Sequence, residues 1–192
     1  MSLQPKNNAK ASVKDMAQIA LSAALIAACA FIIVPLPWGV HVSMQTFGVV
    51  LAGTVLGAKK GAAAVLVYIA IGLIGLPIFQ GGVGGPAVLV GKSSGFLLSF
   101  PILAAMAGVG ARAGNVLLQS AWLLLGTAVN YLCGVVMYCI LHLEAGVSLG
   151  TVLAWFVVPF IAGDVLKFTM AVAVGRVAKR SLRSFGGFNR IV

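Results

Sequence analysis

Acidic side chains are almost missing from this 192-residue chain: there are three, Asp15, Glu144 and Asp164. Histidine occurs twice and cysteine three times, and only 8% of residues are charged. Each shortage excludes something. Three scattered carboxylates make a catalytic acid–base pair hard to assemble, and no His-Glu-x-x-His or other metal-ligand spacing occurs. Cys29, Cys133 and Cys139 are odd in number and all lie in apolar stretches, so they read as small buried hydrophobes and not as a disulfide framework. A soluble domain of this length carries about 25% charged residues. With 61% hydrophobic residues and a mean hydropathy of +1.10, this chain could not cover a water-facing surface. In lipid that difficulty vanishes, so the class is membrane protein.

What is present is apolar sequence in long runs, and six helical spans can be drawn: 16–36, 41–58, 61–77, 95–111, 115–141 and 151–178. Stretches such as Ala62–Ile71 are apolar at every position, which fits a helix and not a barrel strand alternating between lipid and lumen. The first apolar stretch follows a polar segment with Lys6, Lys10 and Lys14. It is longer than a signal-peptide core and reads as an uncleaved first helix. The division is therefore a polar segment 1–15, a six-helix domain 16–178 and a basic tail 179–192, with both termini cytoplasmic. The net charge of +10 does not indicate nucleic acid, because its residues cluster between apolar spans. Eleven of the thirteen basic residues fall on the cytoplasmic side of this topology, as the positive-inside rule requires, where anionic membrane lipid is a compatible contact.

The exceptions are Lys92, in the long loop after the third span, and Lys167, inside the sixth. An intramembrane ionisable group is expensive and marks function by default. Asp164 and Lys167 stand at i and i+3 on one helix face, either as a packing ion pair or as a polar pocket that a ligand joins. The loop from Pro77 to Gly95 is rich in glycine yet carries Phe79 and Val88–Val90, so it reads as a lid folded over a pocket. Within it Val90-Gly91-Lys92-Ser93 imitates the end of a phosphate-binding loop, but Pro86 stands where that motif needs glycine, so no nucleotide site is assigned. Gln45, Asn130 and Tyr131 are polar groups in apolar surroundings. Each could bond a neighbouring helix or face a ligand. Trp38, His41, His142 and Trp155 are expected at the outer interface, with no catalytic role for either histidine. Ala20, Ala24 and Ala28 form a small-residue stripe on the first span, suited to packing within the chain or to docking another subunit.

The segment Leu36-Pro37, Gln45-Thr46, Leu51-Ala52-Gly53-Thr54-Val55-Leu56-Gly57, Tyr68, Gly72-Leu73-Ile74-Gly75-Leu76-Pro77-Ile78-Phe79 and Gly81-Gly82 resembles the BioY family. Gly163-Asp164-Val165-Leu166-Lys167 looks like the motif in that family's last helix. Its members are biotin-specific substrate-binding (S) components of energy-coupling factor (ECF) transporters. Where the family often shows Gly-Pro-Thr-Gly-Gly-Tyr, this chain has Gly91-Lys92-Ser93-Ser94-Gly95-Phe96. The resemblance implies an all-α fold of six transmembrane helices in a bacterial cytoplasmic membrane, no enzymatic activity, no cofactor and no metal. It implies biotin capture with Asp164 and Lys167 on the ureido ring, aided by groups near Gln80 and Asn130. Lys92 would meet the valerate carboxylate, with Gln45 nearby, and Phe79 and Tyr131 would complete the substrate site. Ala20, Ala24 and Ala28 would face the transmembrane coupling protein, which works with ATPase subunits. An S component for another vitamin, a stand-alone biotin facilitator and a homo-oligomer all stay open on the residues alone.

Overall fold

The computed structural model describes residues 13–35, 41–142 and 148–184. Lys6, Lys10, Trp38, Glu144 and Arg190 lie outside the described residues, as do the side chains of His41 and His142. The elements in chain order are α1 (Val13–Ala30), β1 (Ile33–Pro35), β2 (His41–Ser43), α2 (Gln45–Leu56), α3 (Ala58–Leu73), a 3-10 turn (Pro86–Val90), α4 (Ser94–Gly110), α5 (Val116–His142), α6 (Leu149–Phe156) and α7 (Val158–Ser184).

The expected spans at 95–111 and 115–141 coincide with α4 and α5 to within a residue. The others need correction. The first helix stops at Ala30, six residues early, and the second begins at Gln45, four residues late. Between them β1 and β2 pair antiparallel, Ile33 opposite Ser43 and Val34 opposite Val42. Ile32, Ile33 and Val34 are β-branched, and Pro35 confines Val34 to extended geometry, so the apolar run is strand-forming rather than helical here. The third span ends at Leu73 and not at 77, and Lys59 and Lys60 lie in its first turn instead of in a loop. The α2–α3 junction is a single residue, Gly57, at φ +81°, a conformation that a side chain would resist. The sixth span is two helices broken at Val157. Pro159 can give no N–H to the Trp155 carbonyl and its ring crowds that turn, so α6 and α7 form separately.

Among the described residues three helical stretches are long and apolar enough to cross a bilayer: Val13–Ala30, Val116–Leu141 and Leu149–Lys179, the last made of α6 followed by most of α7. Helices α2, α3 and α4 have 12, 16 and 17 residues. At 1.5 Å per residue they reach only about 18, 24 and 26 Å, short of a hydrocarbon core of about 30 Å. They are level at the end where α2 meets α3, since the Arg112 guanidinium beyond α4 lies over Gly57. Their deficit therefore falls at the other end, where the hairpin, the Pro77–Gly95 loop and the upper parts of α5 and α7 enclose a bowl.

The core runs through the α2, α3 and α4 contacts, with Val49, Val50, Val65, Tyr68, Leu103 and Ala104 buried. Helix α2 is buried almost all round because its neighbours come within backbone range. A Cβ on Gly53 would collide with the Ala104 carbonyl, and one on Gly61 with the Gly53 backbone. Without a hydrophobic drive between helices in lipid, such small-residue contact is the main source of packing energy. At the level end, Lys60 Nζ pairs with Asp15 Oδ1 at 2.7 Å, tying α3 to α1. Arg176 Nη2 donates to Gln119 Oε1 at 2.6 Å, tying α7 to α5. Ala20, Ala24 and Ala28 are exposed along α1, while Ala23 is buried and Ala27 half-buried toward the core. Gly53→Val is expected to lower the thermal unfolding midpoint in detergent by several degrees, an overpacking penalty of about 1–3 kcal/mol. An unchanged midpoint would show that α2 and α4 can part freely.

Candidate functional site

Lys167 and Asp164 share the inward face of α7 and are 6% and 3% exposed. Lys167 Nζ lies 3.1 Å from Asp164 Oδ1. Two further donors converge on the carboxylate: Thr46 Oγ1 on Oδ1 at 3.2 Å and the Tyr131 hydroxyl on Oδ2 at 2.7 Å. Lys167 Nζ also reaches Thr46 Oγ1 at 3.5 Å. The first turn of α2, the middle of α5 and the upper part of α7 thus meet at one carboxylate. Each carboxylate oxygen accepts about two hydrogen bonds, so Oδ2 keeps one free position, and the three-proton ammonium keeps one free N–H.

The group forms the floor of a cavity of about 430 Å³, within the range typical of small-molecule sites. All eight residues singled out as substrate-binding from the sequence line it: Gln45, Phe79, Gln80, Lys92, Asn130, Tyr131, Asp164 and Lys167. Lys92 is exposed and stands at the mouth, placing a cation at the end of the cavity remote from the floor. The wall between is apolar: Phe96 stacks on Phe160 with centroids 6.2 Å apart and meets Tyr131 edge-on at 6.3 Å.

The expected lid is a built structure. Phe79 and Val83 form a bridge, the backbone turns through Gly81 and Gly82, and the 3-10 turn follows. The Phe79 ring, 2% exposed, fills the space a side chain at Gly72 would need and meets Tyr68 edge-on at 5.4 Å. Gly85 N–H donates to the Gly72 carbonyl at 2.8 Å. A polar chain fastens the loop to the hairpin: Ser43 Oγ donates to Gln45 Oε1 at 3.1 Å, Gln45 Nε2 to the Tyr68 hydroxyl, and that hydroxyl to the Ile78 carbonyl at 3.2 Å. Gln45 is therefore largely engaged within the protein. The Val90–Ser93 stretch ends a 3-10 turn, with Gly91 as its cap, and does not join a strand to a helix as a phosphate loop does.

Sequence reasoning gave no site role to Thr46, Ser43, Tyr68, Phe96 and Phe160. One signal was available: Phe160 precedes Asp164 by four residues and so shares its helical face. Among the described residues no group of three His, Cys, Asp or Glu could hold a metal ion, and the three cysteines are free thiols.

An apolar helical bundle with a lidded, polar-floored cavity at one end and its basic residues massed at the other defines the class of small-solute-binding membrane subunits. The chain belongs to the BioY family, whose model matches residues 4–184, as its motifs suggested. It is 35% identical over 181 residues to the biotin transporter BioY of Rhodobacter capsulatus, covering 85% of this chain and 92% of that one. It is 33% identical over 174 residues to the biotin transporter BioY of Rhizobium etli, with 86% and 92% covered. Its fold matches the crystal structure of the S-component for biotin from an ECF-type ABC transporter with a TM-score of 0.77 and 27% identity, over 88% of this chain and 92% of that one.

Lys167→Met would strand a buried carboxylate and is expected to destabilise the protein by about 3–5 kcal/mol. The double variant Asp164→Asn/Lys167→Met should recover most of that loss in the same detergent melt. Equal losses in the single and the double variant would show that the pair contributes no mutual stabilisation.

Proposed function

We propose that this chain captures biotin for uptake, acting as the S component of an ECF transporter; it is a transporter component and not an enzyme. The observation that carries the reading is the Asp164–Lys167 floor, buried yet open to the cavity with hydrogen-bonding capacity to spare. Biotin is polar at both ends and apolar between. Its cyclic urea offers N–H donors and a carbonyl, its ring sulfur and alkyl chain are apolar, and its valerate ends in a carboxylate. The cavity has the matching order: a carboxylate and an ammonium on the floor, Phe79, Phe96 and Phe160 along the wall, and the Lys92 ammonium at the mouth. Gln45, Gln80, Asn130 and Tyr131 complete the substrate site. The names carried by the relatives agree with this assignment.

Six spans cross the bacterial cytoplasmic membrane, with 1–15 and 179–192 on the cytoplasmic side and the cavity opening outward. The basic end supports this orientation: Lys14, Lys59, Lys60, Arg176 and Lys179 on their helices, and Arg112 in the turn after α4, lie at the end opposite the cavity. The exposed face of Ala20, Ala24 and Ala28 docks on the transmembrane coupling protein, which links the chain to the ATPase subunits. In a variant freed of its native cysteines, Lys92→Cys should react with a membrane-impermeant maleimide on intact cells and Lys59→Cys only after permeabilisation. The reverse pattern would invert the topology.

Calorimetric titration of the purified protein should show tight biotin binding and none of riboflavin. Asp164→Asn should weaken biotin by tenfold or more. Lys92→Ala should weaken it less and flatten its dependence on salt, because an exposed charge is screened. A well-folded wild type that ignores biotin would remove the substrate assignment.

A further inference from the structure

The cavity is closed by the lid and by an aromatic side wall, and the two are held differently. The lid is tied into the main core. Phe79 belongs to the same buried cluster as Val49, Val65 and Tyr68. Its N–H donates to the Val83 carbonyl at 3.0 Å, and Gly85 N–H donates to the Gly72 carbonyl at 2.8 Å. The side wall is tied elsewhere. Phe160 packs against a second, smaller cluster whose buried members are Val135 and Tyr138 of α5 and Val152 of α6. Phe96 packs against both clusters. Its ring fills the space that a side chain at Gly134 would need, so it is seated in a notch of α5. The stack of Phe96 on Phe160 is therefore where the large cluster meets the small one.

Helix α6 contributes little to that small cluster. Among its described side chains Val152 is the one that is buried, while Leu149 and Leu153 are 59% and 42% exposed. Its first turn is self-contained, because Ser148 Oγ accepts from the Thr151 N–H at 3.2 Å. Its last turn stops at Val157, where Pro159 interrupts the ladder. The N–H groups of Phe160 and Ile161 donate to the Val157 carbonyl at 3.1 and 3.2 Å. The first turn of α7, which carries Phe160, is thus built on the residue at which α6 ends. Val157 precedes Asp164 by seven residues, which raises the break about 10 Å above the floor, toward the mouth. A self-capped rod with one buried side chain and a proline-defined elbow can swing without unfolding its neighbours. Elements with few buried contacts open first, and hinges form at element ends.

We infer that α6, turning on the Val157–Pro159 elbow, is a side gate of the cavity. Its swing away from α5 carries Phe160 off Phe96 and parts the stacked rings, while the lid stays seated on Gly72 and Tyr68. The inference rests on the biotin reading for its solute and adds the route by which that solute enters and leaves. Val152 and Pro159 do not line the cavity, so changes there act on the gate and not on ligand contacts. A gate of this kind has a kinetic signature. It alters the way in and the way out by the same factor and leaves the equilibrium constant where it was, whereas a lost ligand contact changes the equilibrium constant.

The test measures association of radiolabelled biotin and its release in a chase, in wild type, Val152→Ala and Pro159→Ala. Val152→Ala loosens α6 and should raise both rates together by about threefold or more, with Kd within about twofold of wild type. Pro159→Ala returns an N–H to the Trp155 carbonyl, joins α6 to α7 and should slow both rates together. Rates that stay as in wild type in both variants, or a change confined to release, would overturn the proposal. So would a rise of both rates in Tyr68→Phe, which cuts the lid's link to Gln45, with none in Val152→Ala. Should Val152→Ala fail to fold, Pro159→Ala decides alone by the same reading. Hydrogen exchange of the ligand-free protein supplies an arm independent of biotin: the Val152 and Val157 amides should exchange at least tenfold faster than those of Phe79 and Gly85. The reverse order makes the lid the looser element and overturns the gate whatever the solute. Wild type that binds no biotin would remove the substrate reading, and the exchange order would still decide which closure is loose.

Discussion

A carboxylate and an ammonium enclosed in an apolar bundle persist only while they hold each other, and the upper half of this protein is arranged around that requirement. Asp164 and Lys167 are within 3.1 Å and nearly unexposed. Coulomb attraction alone does not repay desolvation unless the remaining lone pairs and protons also find partners. Thr46 and Tyr131 supply them, and in doing so fix the start of α2 and the middle of α5 against α7. Those same helices wall the cavity. A single electrostatic demand thus sets both the packing of three helices and the chemistry of the floor. The groups left over, one acceptor position and one N–H, are what a solute can use.

The lid follows from a second constraint. Helices α2 to α4 end too early to fill a bilayer, and exposed backbone at that depth must be satisfied by protein. The hairpin and the Pro77–Gly95 loop do this with their own hydrogen bonds, and the Ser43–Gln45–Tyr68–Ile78 chain joins hairpin, α2, α3 and loop. Phe79 seated against Gly72 anchors the loop by shape where hydrogen bonds alone would allow sliding. The loop therefore roofs an apolar chamber with much of its backbone hydrogen-bonded within the protein, at Phe79, Gly82, Gly85, Val88 and Gly91. Glycine carries both parts, by turning the chain at Gly81 and Gly82 and by vacating the space under the ring at Gly72.

Much of this was legible in the sequence, for reasons that can be stated. Asp164, Lys167 and Asn130 stood out because a polar residue in an apolar run is rare and expensive, a property of the residue and its immediate neighbours. The α4 and α5 boundaries were legible because charge and glycine flank them on both sides. The hairpin was missed because Ile33-Val34-Pro35 is as apolar as a helix and hydropathy does not distinguish the two. The break at Val157 was missed because Pro159 was read inside a continuous span, although its missing N–H gives the boundary in retrospect.

The site residues that escaped notice share a different cause. Thr46 and Ser43 are short hydroxyls, individually unremarked in the sequence, and their importance lies entirely in what they touch. Asn130 illustrates the limit most clearly. The sequence marks a polar side chain at mid-helix but cannot say which way its carboxamide is turned. That answer belongs to Ser99 and to the Phe96 carbonyl on another helix, which take the nitrogen and leave the oxygen. Burial of a polar group can be inferred from one element, but its polarity toward a ligand is a property of two. The chemistry of such a pocket is therefore written in pairs of helices rather than in any one motif.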